Sequence, residues 1–124
     1  MIFSNSGDKG ISLGEGTRAV IDDIRVQGSK IALATKDSST ATLSHGIFIN
    51  NFIGAAAYRK KAIYKGGAIY ISNTLLEGNE FDLGAQVCSE KESLEDCSSE
   101  ISIENSKYKI RKFIQRRLYF IKWV

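Results

Sequence analysis

The chain has 124 residues with 17 basic and 14 acidic side chains, 43% apolar residues, 11 Gly and no Pro. This length excludes more than one domain, and no run reaches the ~20 apolar residues of a membrane-spanning helix. Residues 107–124 hold seven basic and no acidic side chains, leaving 10 basic against 14 acidic in residues 1–106, so the net +3 belongs to the tail and is no nucleic-acid signature of the body.

The first segment, IFSNSGDKGISLGEGT, has Ile11 and Leu13 alternating about Ser12, the period of a strand with one buried face. It shows neither the basic nor the apolar region of a signal peptide. Phe3 matches Val26 of a later segment, and the first half of its repeat is missing, so Met1 reads as an internal position of something longer. From Ile21 the pattern becomes periodic. Ile21, Asp23, Val26, Gly28, Ile31 and Leu33 recur as Leu43, His45, Phe48, Asn50, Ile53 and Ala55, and again as Ile71, Asn73, Leu76, Gly78, Phe81 and Leu83. Within each set the six positions share one offset, and both offsets lie in the twenties. Such a period, built from short β-type runs broken by Gly, Asn, Asp and Ser, predicts a solenoid of stacked strands.

Ile101, Ile103 and Asn105 begin a fourth turn, following Ile69, Ile71 and Asn73 at one common, longer offset. Ile11/Ile31/Ile53/Phe81 and Ile21/Leu43/Ile71/Ile103 are expected to stack as inward columns. Asp23, His45, Asn73 and Asn105 share a corner that suits left-handed backbone. Two insertions, YRKKAIYKGG (58–67) and residues 86–99, fall at one corner, where loops of a solenoid meet partners. The tail, KYKIRKFIQRRLYFIKWV, places Ile110, Phe113, Ile114, Leu118 and Ile121 on a helical stripe and also contains the strand-like LYFIKWV. It reads as a cap over the last turn or as a basic amphipathic segment for an anionic membrane surface. The expected organisation is a partial β-solenoid over 1–106 and the tail over 107–124.

The chemistry-bearing residues are sparse. His45 is the only histidine and sits among turn residues, with no readable Ser-His-Asp or Cys-His spacing. Asp22, Asp23 and Asp37 are the best carboxylates. Neighbours such as Asp22 and Asp23 make a poor glycosidase pair. The expected outward column Ser12, Ala32, Gly54 and Asp82 holds one carboxylate, too few for a calcium-assisted lyase. No catalytic set, cofactor or metal site is assigned. Tyr58, Arg59, Lys60, Lys61, Tyr64 and Lys65 form an aromatic-basic loop, whose rings can stack on sugars and whose cations can pair with uronate or phosphate. Cys88 and Cys97 lie nine apart in a polar stretch. They can clip a loop as a disulfide or stand as free thiols, and the spacing fits neither a redox motif nor zinc.

The motifs Gly7-Asp8-Lys9-Gly10-Ile11-Ser12, Ala34-Thr35-Lys36-Asp37 and Ala56-Ala57-Tyr58-Arg59-Lys60-Lys61 resemble the right-handed parallel β-helix region of bacterial spore-coat-protein-H-like (CotH) kinase proteins, over roughly residues 5–83. More broadly the chain is similar to pectin-lyase-like β-helices. The resemblance implies a right-handed parallel β-helix in a secreted or cell-envelope protein, and the repeat count gives an all-β solenoid of about four coils. None of the kinase-like part lies in these residues, so no catalysis is implied. The expected role is a non-catalytic accessory module that presents corner loops to a glycan, a cell-wall polymer or a neighbouring protein domain, without nucleic acid. The alternatives are a partial polysaccharide lyase or hydrolase, and a purely structural stalk for a kinase-like domain.

Overall fold

The computed structural model describes residues 2–61, 63–86, 98–109, 111–114 and 119–122. Its elements are all strands: β1 (Ile2–Leu13), β2 (Arg18–Lys36), β3 (Thr40–Ile49), β4 (Ile53–Tyr58), β5 (Ala68–Ser72), β6 (Leu75–Glu77), β7 (Phe81–Gln86), β8 (Glu100–Glu104), β9 (Arg111–Ile114) and β10 (Tyr119–Lys122). Every pairing from β1 to β8 is parallel, and β2 contributes to two ladders, one with β3 and one with β4. The parallel strands thereby wind into a nearly closed, layered coil.

Three ladders make its sides. On the first, Leu33 pairs with Ile11 and Ala55, and Ala55 with Leu83. On the second, Ile21, Leu43, Ile71 and Ile103 follow in register. On the third, Phe3, Val26, Phe48 and Leu76 do so. All of these side chains belong to one apolar core or pack against it. The chain bends where the repeat places polar residues. Asp23, His45, Asn73 and Asn105 all have left-handed backbone, with φ of 46–56°, as do Gly28, Asn50 and Gly78 at the next bend.

Side chains continue the ladder through each bend. At the first corner, Thr74 Oγ1 accepts the Gly46 N–H (3.2 Å) and Ser106 Oγ accepts that of Thr74 (2.9 Å). At the second, Asn51 Oδ1 accepts from Ser29 N–H and Asn79 Oδ1 from Asn51 N–H, both at 2.9 Å. At the third, Ser39 Oγ accepts from Thr17 N–H and Ser99 Oγ from Gly67 N–H, both at 3.1 Å. Gly67 supplies no such acceptor, because a Cβ there would lie 2.1 Å from the Thr35 carbonyl oxygen.

Two expected columns change. Ile31, Ile53 and Phe81 do stack in register, but Lys9 rather than Ile11 is the next partner of Ile31. They also belong to a second cluster with Ala34, Ala56 and Tyr58, separate from the core. The expected outward column splits as well. Ser12 aligns with Ala34, whereas Ala32 lies in the core and a Cβ on Gly54 would meet the core residue Leu76. The cause is local: Ala32 and Leu33 both face inward after the corner, so strict alternation starts one residue later than the pattern suggests.

The fourth layer runs on through Lys107, which pairs with Leu75. The tail departs from the helical stripe. β9 and β10 form an antiparallel pair, and β10 adds antiparallel to the edge of β7 through Phe120–Gln86 and Ile121–Ala85. An edge strand with unpaired backbone groups is satisfied in this way. Ile110 and Leu118 lie outside the described residues.

Replacing Asn51, which is 4% exposed, by Ala strips partners from the Ser29 N–H and the Val26 carbonyl. Urea unfolding is expected to show a loss of about 1–3 kcal/mol. Val20→Ser, at an 85% exposed position, should stay within about 0.5 kcal/mol.

Candidate functional site

The 59–67 insertion is tied to the corner beneath it. Asp37, 1% exposed with φ 53°, accepts through Oδ1 the N–H groups of Lys60 (2.7 Å) and Lys61 (2.8 Å). Ser38 donates its N–H to the Lys65 carbonyl and accepts the Lys65 N–H on Oγ. Gln86 Oε1 accepts the Arg59 N–H at 2.6 Å. The Lys61 ammonium pairs with Glu15, which holds its pKa above the usual lysine value. Asp37 is thus a loop anchor: one carboxylate oxygen satisfies two backbone amides.

Tyr58 lies outside this loop. It closes β4, is 8% exposed and packs with Ala34, Ala56, Ile53 and Phe81. Burial pushes its phenol above the ordinary tyrosine value, and the charges of Lys9, Asp8 and Asp37 act on it. Tyr64 is half-buried within the loop and donates its N–H to the Lys61 carbonyl. Arg59 is half-buried, and Lys60, Lys61 and Lys65 are exposed.

The structure adds two residues that the loop reading missed. Lys36 pairs in register with Tyr58, and its Nζ donates to Ser12 Oγ at 3.0 Å. Its pKa is depressed first by burial and then by the positive charges of Lys9 and Lys60. Lys9 hydrogen-bonds Asp8 at 2.6 Å, which raises the lysine and lowers the carboxyl. Lys9, Lys36 and Lys60 therefore come together from three successive layers. Register alone does not do this, because Lys9 aligns with Ile31 and Lys36 with Tyr58; the Lys36 side chain reaches back to Ser12 in the layer before it, which no sequence offset marks.

The other candidates sit elsewhere. His45 Nδ1 lies 2.8 Å from Asp22 Oδ1, and Ser44 Oγ donates to the same oxygen at 2.9 Å. These two bonds, His45 first, hold the Asp22 carboxyl below its usual range. The hydroxyl and imidazole both address the carboxylate, so Ser44 is not set up to pass a proton to His45 as in a nucleophilic triad. Asp23 and Asp37 lie on different corners, at the ends of different sides. No group of three or more His, Cys, Asp or Glu able to hold a metal occurs among the described residues. Cys88 and Cys97 lie outside them. No helix among the described residues is long and apolar enough to cross a membrane.

Asp37→Ala releases the Lys60 and Lys61 amides, and limited trypsin digestion is expected to cut at Arg59, Lys60 or Lys61 several-fold faster than in the parent. Unchanged cleavage rates would contradict the anchoring role. Because burial favours the neutral phenol, the unfolded chain loses the Tyr58 proton first, at about pH 10. The stability contributed by the neutral ring is complete below that pH and falls as pH rises above it. The phenolate absorbance missing from Tyr58→Phe should titrate above about pH 10, and the variant should lose less stability there than the parent.

No protein-family model, no curated protein and no solved structure matches this chain.

Proposed function

We propose that the chain is a right-handed parallel β-helix of about four coils that acts as a non-catalytic binding module of a larger exported or cell-envelope protein, holding an acidic glycan on the outer side of the β2–β4–β7 ladder. The resemblance to the β-helical region of CotH-like proteins is part of this reading. One observation carries it: Lys36, in register with Tyr58, feels the positive charges of Lys9 and Lys60, and although Lys9 is paired with Asp8, and Asp37 and Asp8 partly offset the repulsion, burial and these cations still leave the Lys36 ammonium disfavoured. A ligand bearing carboxylates, such as a uronate chain, offsets that repulsion and pairs with the ammonium groups. The Tyr58–Phe81–Ile53 cluster supplies an apolar neighbour for sugar faces.

A lyase or hydrolase is favoured less. Its best carboxylate, Asp37, spends an oxygen on two loop amides, and Asp22 is engaged by His45 and Ser44.

Isothermal titration with octagalacturonate is expected to show binding that weakens with added salt, and Lys36→Gln or Lys60→Gln should each weaken it roughly threefold. Incubation with polygalacturonate should release no unsaturated product. Product formation that Asp37→Ala abolishes would overturn the reading in favour of an enzyme. Binding that is absent, or unaffected by both lysine substitutions, would also overturn it.

A further inference from the structure

The left-handed corner forms a second surface, remote in character from the basic face. Asp23, His45, Asn73 and Asn105 stand above one another in consecutive layers. They line an open groove of about 650 Å³. At ~4.8 Å per layer the column spans ~14 Å along the coil, more than a compact ligand needs. Beside the column the lining also holds Ile47, 36% exposed, and Leu75, half-buried, which pair in register.

Each layer offers the groove a different polar group. An ionised Asp22 can only accept, so His45 Nδ1 carries the hydrogen directed at it, and Nε2 of the neutral ring is left as an acceptor. His45 is 63% exposed by its side chain. The Asn105 amide donates to Asn73 Oδ1, which sets both amides in one orientation. Among the described residues, Asp23 at one end and Lys107 at the other are the only charged side chains lining the groove when His45 is neutral, and they cancel.

These features select among ligand classes. A peptide strand needs a row of unpaired main-chain groups, but the Gly46 and Thr74 amides are already bound by Thr74 Oγ1 and Ser106 Oγ. An anionic polymer needs a net positive lining. A chain of neutral pyranose units fits: an aliphatic wall meets sugar C–H faces while amides and imidazole meet hydroxyls, one layer after another. We propose that this corner groove binds a neutral, extended oligosaccharide lying along the coil axis, at a site separate from the basic face.

The test is a residue-resolved NMR titration of the intact chain with cellohexaose, xylohexaose and chitohexaose, each at low and high salt. The expected result is saturable shifts at residues 45–47, 73–75 and 105–107 with at least one of the three, insensitive to salt. In the double variant Asn73→Gly/Asn105→Gly, Gly keeps the left-handed backbone and removes both amides. Affinity there should fall about tenfold or more, equivalent to ~1.4 kcal/mol, with an unchanged far-ultraviolet spectrum. Conserved affinity in that folded variant overturns the proposal, as does the absence of shifts in these segments with all three sugars at millimolar concentration. Octagalacturonate titrated in parallel reports on the basic face alone, so failure at either site is distinguishable.

Discussion

The structure depends on one repeated interaction: at each of the three corners, in most layers, a side-chain oxygen accepts a backbone N–H of the layer before it. Parallel strands form evenly spaced ladders along straight stretches, but a chain that turns three times per layer would leave amides unpaired at each turn. Buried and unpaired, each costs on the order of 1–3 kcal/mol. Thr74 and Ser106, Asn51 and Asn79, and Ser39 and Ser99 remove that cost at the three corners. With the bends satisfied, the aliphatic columns are held in register and can bury their faces together. A single layer could not do so.

The same register generates the surfaces. Residues far apart in sequence become neighbours one layer apart, so Lys36 stands beside Tyr58 and reaches Ser12, where the charges of Lys9 and Lys60 also act on it. At the opposite kind of corner, where a single left-handed residue turns the chain, Asp23, His45, Asn73 and Asn105 line up in a nearly uncharged groove. One face is positive and partly apolar, and the other is polar and neutral. On the proposed reading, the two faces would address two kinds of glycan, or two stretches of one.

Much of this was legible in the sequence. The shared offsets between matched positions marked out the layers, and the inward columns through Leu43 and Phe48 and the left-handed column through His45 stand where the repeat put them. What was not legible has local causes. Two inward residues in succession, Ala32 and Leu33, displaced Ile31, Ile53 and Phe81 from the core. Tyr58 reads as the start of a basic loop but pairs with Lys36 and is buried. The helical stripe of the tail gave way to pairing with an open sheet edge, which sequence periodicity cannot register. The corner acceptors were visible only as turn residues, because their partners lie one layer away.

Native-state hydrogen exchange, read residue by residue, tests the central interaction most directly. The amides of Thr17, Ser29, Gly46 and Thr74, all bound by side-chain oxygens of the following layer, should exchange as slowly as those of the adjoining strands. Exchange at those four amides as fast as in an open loop, while the strands stay protected, would contradict the account.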